Sequence, residues 1–266
     1  MASSLAPSRR ALLVGSLFSA VALSLTACGS KDASASSAMD KDTIIVGYDN
    51  TFVPMGFDDN GETKGFDKDL SDYVAQKIGK TFEFQNIDWE MKEAELSSGK
   101  IDAIWNGYTI TDERRKKVDA SDPYLDNKQI VMVLADSPIQ ALSDLAGKQL
   151  ATQGASSAAD LIAENTELND SLQGGGPLFY DTYDKALRDL EIGRADAVAG
   201  DSVLLEYYAK QKGGDQFRVL DENFGSEEFV IAVRKGDDKF REALNDALAQ
   251  AQEDGTLETI RSKWFN

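Results

Sequence analysis

Leu96-Ser97-Ser98-Gly99-Lys100-Ile101-Asp102-Ala103-Ile104 and Leu190-Glu191-Ile192-Gly193-Arg194-Ala195-Asp196-Ala197-Val198 carry one pattern twice, displaced by 94 residues. Each reads as a helix end, a Gly cap, a basic residue, and a strand opening with Asp-Ala. A pattern repeated at this distance predicts two lobes of similar construction. In the same register Gly107 faces Asp201, each just past the carboxyl end of its strand. Ligands bind at that end of open α/β sheets.

The flanking sequence extends the same alternation. Thr43-Ile44-Ile45-Val46-Gly47 is a short apolar run ending in Gly, read as a buried strand. Gly65-Phe66-Asp67 opens a helix with Phe66, Leu70, Tyr73, Val74 and Ile78 on one face, and Gly79 ends it. Residues 81–84 form the next strand, 90–98 a helix, and 101–105 a strand. Strands alternating with helices predict an α/β fold with mostly parallel sheets. Ile130-Val131-Met132-Val133-Leu134 reads as a strand crossing into the second lobe, and Phe229-Val230-Ile231-Ala232-Val233 as the returning one. Residues 238–254 place Phe240, Leu244, Ala247, Leu248 and Ala251 on one helical face, and Gly255 stops it. The expected organisation is lobe one over 43–125 and 228–266, lobe two over 128–225, and a hinge of two crossing strands.

Composition narrows the function classes. The chain has 266 residues, 46 acidic against 28 basic, and a net charge of −18. Nucleic acid is a poor partner, because phosphate binding needs a concentrated positive surface. His is absent and Cys occurs once. That removes Ser-His and Cys-His catalysis, most zinc sites and any intramolecular disulfide. No cofactor or metal is expected.

The single Cys ends an address. Arg9 and Arg10 precede an apolar segment over 11–25, too short to span a bilayer comfortably. It ends in Leu25-Thr26-Ala27-Cys28, which resembles a bacterial lipobox. That resemblance implies removal of residues 1–27 and lipid on Cys28, the alternative being an ordinary signal peptide followed by a chance Cys. Residues 29–42 are rich in Ser and Ala and read as a flexible tether. Export, anchoring to the outer face of the cell membrane and an envelope without an outer membrane are the expectation. After the last helix the sequence shows no second membrane span, which argues against a sensor kinase.

Several residues carry candidate binding chemistry. Arg114 stands in Thr109-Ile110-Thr111-Asp112-Glu113-Arg114 and offers a guanidinium fork for a carboxylate. It also begins the basic run Arg114-Arg115-Lys116-Lys117, which reads equally as a solvated helix face. Asp201 follows the second echo strand, at the end where ligands bind, and also fits the N-cap of the next helix. Gln153-Gly154-Ala155-Ser156-Ser157 opens a helix whose free amides and hydroxyls suit an anion, or simply cap it. Phe52 and Trp89 fit a pocket wall or the core. Asp49 reads as a polar turn residue in Asp49-Asn50-Thr51.

Phe52-Val53-Pro54-Met55, Gly65-Phe66-Asp67-Lys68-Asp69-Leu70, Ser98-Gly99-Lys100-Ile101-Asp102, Asn106-Gly107-Tyr108 running into the Thr109–Arg114 segment, Ser121-Asp122-Pro123-Tyr124 and Gly193-Arg194-Ala195-Asp196-Ala197 come in one order and spacing. Together they resemble the polar amino-acid family of solute-binding proteins from ABC importers, which has the type II periplasmic-binding fold. The resemblance covers residues 43–265. It implies a non-enzymatic monomer that holds a free amino acid between its lobes and delivers it to a permease. It further implies that Arg114 and Thr109 hold the ligand's α-carboxylate from lobe one, with Gln153, Ser156 and Ser157 doing so from lobe two. Asp201 and the carbonyl of Gly107 would take the α-ammonium. Phe52 and Trp89 would sandwich the side chain, with Asn106 and Tyr108 nearby. Asp49 would meet side-chain nitrogens, hinting at Gln, Arg or Lys. The sequence departs from the family pattern at Ala155, where Gly is usual. A same-fold enzyme such as a dehydratase and a surface adhesin or sensor component are the rival readings.

Overall fold

The computed structural model describes residues 37–265. The lipobox around Cys28, the apolar segment before it and the tether as far as residue 36 lie outside the described residues.

In the first lobe, β1 (Thr43–Tyr48) pairs in parallel with β2 (Thr81–Asn86) and β3 (Ala103–Thr109). Helix α1 (Phe66–Ile78) links β1 to β2 and buries Phe66, Leu70 and Val74, the face its 3.6-residue spacing specifies. It ends where Gly79 turns left-handed at φ 67°, a conformation that Gly adopts without a Cβ clash. Helix α2 (Lys92–Ser98) leads into β3.

The crossing strands are β4 (Leu125–Leu134) and the long β8 (Phe217–Val233), paired antiparallel from Leu125↔Phe229 to Leu134↔Phe217. Between them come the second lobe's strands: β5 (Leu150–Gln153), β6 (Leu178–Tyr180) and β7 (Ala197–Asp201). Helices α3 (Ser157–Glu164), α4 (Tyr183–Glu191) and α5 (Ser202–Gln211) accompany them. The main sheet runs β6-β5-β7-β4-β8-β3-β1-β2, and the two-residue strand Asp119–Ala120 pairs with β8. Helix α6 (Asp238–Glu253) then packs against α1 and buries Phe240, Leu244, Ala247, Leu248 and Ala251. At about 1.5–3 kcal/mol for each large apolar side chain, this face anchors the returning chain.

The sheet is mixed rather than mostly parallel. β1, β2 and β3 are mutually parallel, as are β5, β6 and β7, but β7 meets β4 and β3 meets β8 antiparallel. Each lobe's innermost strand lies beside a chain that arrives from the other lobe and therefore runs the opposite way.

The sequence echo is a structural equivalence. Asp102 accepts the Ile45 N–H at 3.1 Å and donates its own N–H to the Ile45 carbonyl at 2.7 Å. Asp196 does the same with Gln149, at 2.8 and 2.9 Å. In both lobes the Asp stitches the start of its strand to the neighbouring one.

One expectation is corrected at its end. The tether does not extend to residue 42. Ala38 is buried, its N–H donates to Asp237 at 2.8 Å, and Ser37 donates to the same carboxylate. Lys41 pairs at 2.7 Å with Asp102, a fully buried carboxylate that also takes Arg234 at 3.0 Å. A charge taken out of water needs such partners, so the last residues before β1 belong to the folded body.

Candidate functional site

Phe52, Trp89, Gly107, Thr109 and Arg114 from the first lobe and Gln153, Ser156, Ser157 and Asp201 from the second line one crevice of about 10 Å³. That volume is of the order of one water. Two larger grooves, of about 810 and 770 Å³, adjoin it: the first shares Thr109 with it, the second shares Arg114 and Ser157, and Glu227 lines both grooves. The crevice is thus the narrowest part of an interlobe cleft.

Arg114 leaves its basic run and turns inward. It is buried, whereas Arg115, Lys116 and Lys117 are exposed. Thr111 accepts the Arg114 N–H at 3.2 Å and so caps the one-turn helix that aims the side chain. The guanidinium donates to the Thr109 carbonyl at 2.9 Å and, across the cleft, to the Ala155 carbonyl at 3.0 Å. It stacks over the Tyr108 ring at 5.0 Å.

Ala155 receives a second cation. Lys92 is fully buried beside the Trp89 ring and donates to the Ala155 carbonyl at 2.8 Å. Burial first, then the nearby Arg114 charge, holds the Lys92 amine down at about 8. Sequence reasoning missed Lys92; its only signal is a place three residues after Trp89 on a short helix. Ala155 itself sits at φ 51°, so the left-handed turn is kept although Gly is replaced. That conformation costs an L-residue about 1–2 kcal/mol, of which Gly would give back part through its freer unfolded chain. Ala155→Gly is expected to stabilise the fold by up to about 1 kcal/mol, read as a higher Tm in thermal unfolding; a lower Tm would show the turn is unstrained.

Asp201 is buried and accepts from Asn127 at 2.6 Å and Gln129 at 2.7 Å. Although it stands at the N-cap of α5, its side chain makes no capping bond and faces the crevice instead. Burial, and then the neighbouring Glu227 charge, push its carboxyl up to about 7. Ser156 does cap α3, accepting the Ala159 N–H at 3.1 Å. Ser157 is left to donate across the cleft, to Glu227.

Gly107 sits at φ 58°, and a Cβ there would lie 2.9 Å from the Phe52 ring and 3.2 Å from that of Phe229. Only Gly lets the strand pass this close to the aromatic wall. Its N–H donates to Asp67 at 2.9 Å. Asp67 is fully buried, and burial raises its carboxyl to about 7. Asp67 reads in the sequence as a helix-start residue; its work of holding the Gly107 turn was missed.

Asn106, Tyr108 and Asp49 do not line the crevice. Side chains alternate along a strand, and in β3 Gly107 and Thr109 face the cleft, so Asn106 and Tyr108 face away. Asn106 accepts the Asp49 N–H at 3.0 Å and donates to the Gly56 carbonyl at 3.2 Å, bracing the loop after β1. Tyr108 donates to Glu93 at 3.1 Å and supports Trp89 edge-on at 6.3 Å. Asp49 lies behind the wall, bonded to Thr51 and, between lobes, to Gln153 at 2.8 Å. Burial holds the Asp49 carboxyl above its usual range.

Two lobes joined by crossing strands, with a cation and a carboxylate facing one crevice, define a cleft-type binding protein. The chain belongs to the bacterial extracellular solute-binding proteins, family 3, whose model matches residues 44–266. It is 31% identical over 229 residues to the L-cystine-binding protein TcyJ of Escherichia coli K12, covering 85% of this chain and 84% of that protein. It is 30% identical over 251 residues to the arginine-binding extracellular protein ArtP of Bacillus subtilis 168, covering 92% and 94%. Among solved structures, an ABC uptake transporter substrate-binding protein from Streptococcus pneumoniae with bound histidine superposes at TM-score 0.83 and 38% identity, covering 86% and 94%. These relatives are binding proteins, and the fold is the two-lobed periplasmic-binding one. Among the described residues no helix is long and apolar enough to cross a membrane.

Proposed function

We propose that this chain is the lipid-anchored binding component of an amino-acid ABC importer and takes a free polar or basic L-amino acid into the interlobe crevice. The observation that carries the reading is the meeting of Arg114 and Asp201, from opposite lobes, in one crevice. A zwitterion presents opposite charges a few bonds apart, and this pair matches them. Arg114 and Thr109, with the start of α3, take the α-carboxylate; Asp201 and the Gly107 carbonyl take the α-ammonium; Phe52 and Trp89 wall the side chain. Relatives named for cystine and arginine, and one solved with bound histidine, support the amino-acid class. The likeness to an arginine-binding protein favours a ligand carrying extra nitrogen donors.

The lobes meet where Asp126 and Asn127 pair with Glu228 and Glu227, and the hinge acts there. Capture is a shift of population: a ligand that touches both lobes favours the closed form by its differential affinity. Lipid on Cys28 holds the protein at the outer membrane face, where the closed form docks on a permease. Calorimetry with the twenty amino acids tests the function. Heat with at least one of them, Arg, Lys or Gln foremost, is expected, and none with any of them rejects it.

A further inference from the structure

Glu227 lies two residues before the apolar run of the returning strand, and its carboxylate lies in the cleft. Oε2 accepts from Thr109 Oγ1 at 3.1 Å and from Gln129 Nε2 at 2.8 Å, and Oε1 accepts from Ser157 Oγ. Thr109 belongs to the first lobe and Ser157 to the second. Among the described residues no Lys or Arg lies within ion-pair distance of Glu227; Lys92 and Arg114 both donate to the Ala155 carbonyl, and Arg114 also lies 3.5 Å from Asp160 and 3.9 Å from Glu93. Gln129 Nε2 is shared with Asp201, which puts two carboxylates on one amide.

We propose that Glu227 is an internal competitor for the carboxylate of the bound amino acid. It fills the hydroxyl donors that an α-carboxylate would use, ties one lobe to the other through them, and must be displaced before a ligand seats. This rests on the reading of the crevice as an amino-acid site. Three observations favour a displaceable occupant over a permanent strut. The anion is held by hydroxyls and an amide without a cation, so an incoming carboxylate that also engages Arg114 has the stronger partner. The like charge of Asp201 beside it disfavours its position. And Glu227 borders the polar groove that also contains Arg115 and Lys128, which offers its carboxylate cationic company outside the crevice. Glu227 therefore sets the affinity threshold of the site, and ligands with an α-carboxylate feel it most.

The test compares the full chain with Glu227→Ala and Glu227→Gln, each stripped of small molecules by denaturation, dialysis and refolding. Small-angle scattering without added amino acid reads the tie: the Ala variant is expected to have a larger radius of gyration than wild type, and an unchanged value overturns it. Calorimetry reads the competition with L-arginine, L-glutamine and L-histidine, and with agmatine, which is arginine without its carboxylate. The Gln variant is expected to bind at least one of the three amino acids about fivefold tighter or more, with agmatine not tightened. Amino-acid affinity that is unchanged or weaker, or agmatine tightened equally, overturns the proposal. If wild type and variant bind none of the three, the amino-acid reading fails at these ligands, while the scattering comparison still decides whether Glu227 ties the lobes.

Discussion

Arg114→Ala is expected to weaken amino-acid binding at least tenfold, and by about 2–4 kcal/mol if the carboxylate is fully enclosed. The guanidinium is already aimed: the Thr111 cap fixes its helix, the Thr109 carbonyl holds Nη1, and the Tyr108 ring lies beneath it. These contacts fix the guanidinium at the cleft before any carboxylate arrives. Taking the side chain away leaves that carboxylate in a crevice shielded from water with hydroxyl partners only. Arg114→Lys keeps the charge but loses the planar fork, so an intermediate loss is expected. The fold should survive, because Lys92 still donates to the Ala155 carbonyl. Calorimetry gives the affinities and thermal unfolding the control. An unchanged affinity in a folded Arg114→Ala protein removes Arg114 from the site.

Asp201→Asn should cost at least as much and also remove a pH dependence. The substitution keeps the shape and an oxygen for the Asn127 or Gln129 donors but deletes the charge proposed to face the ligand's ammonium. Breaking a buried charge pair on one side costs about 2–5 kcal/mol. Burial and the Glu227 charge raise the Asp201 carboxyl to about 7. The carboxyl is neutral below that value and ionised above it, and only the ionised form pairs with an ammonium. Wild-type affinity is therefore expected to hold above pH 7 and to fall as the pH drops through 7 toward 5. The Asp201→Asn protein should show a flat profile over the same range. A wild-type affinity that stays level from pH 8 to pH 5 would contradict the pairing.

The backbone features of the site were legible in sequence, and most of its cross-cleft wiring was not. The echo carried the fold because a Gly cap followed by Asp-Ala encodes how a helix turns into a strand, and that turn recurs in both lobes. Its register already set Gly107 against Asp201. The parity of β3 was also legible: Gly107 and Thr109 share one face, so Asn106 and Tyr108 belong to the other, and assigning both faces to the ligand disregarded the two-residue period. Ala155 kept its turn at a cost that no pattern prints. Lys92, Asp67 and Glu227 look like ordinary charged residues of a helix start or an acidic surface. What gives them roles is contact across the fold: Glu227 reaches Ser157 from 70 residues away and Thr109 from 118, and Lys92 reaches Ala155 from 63. Local sequence holds no trace of pairings made only when two lobes meet. The tether's end was misread for a related reason, since Lys41 gains its meaning only beside the buried Asp102.

A crystal structure with the amino acid that gives the largest heat is the most direct examination of the central claim. It should show the α-carboxylate within hydrogen-bond distance of the Arg114 guanidinium and the α-ammonium within hydrogen-bond distance of the Asp201 carboxylate, with the lobes closed around both. An amino acid lying outside the crevice, or held at both ends by a single lobe, would contradict it.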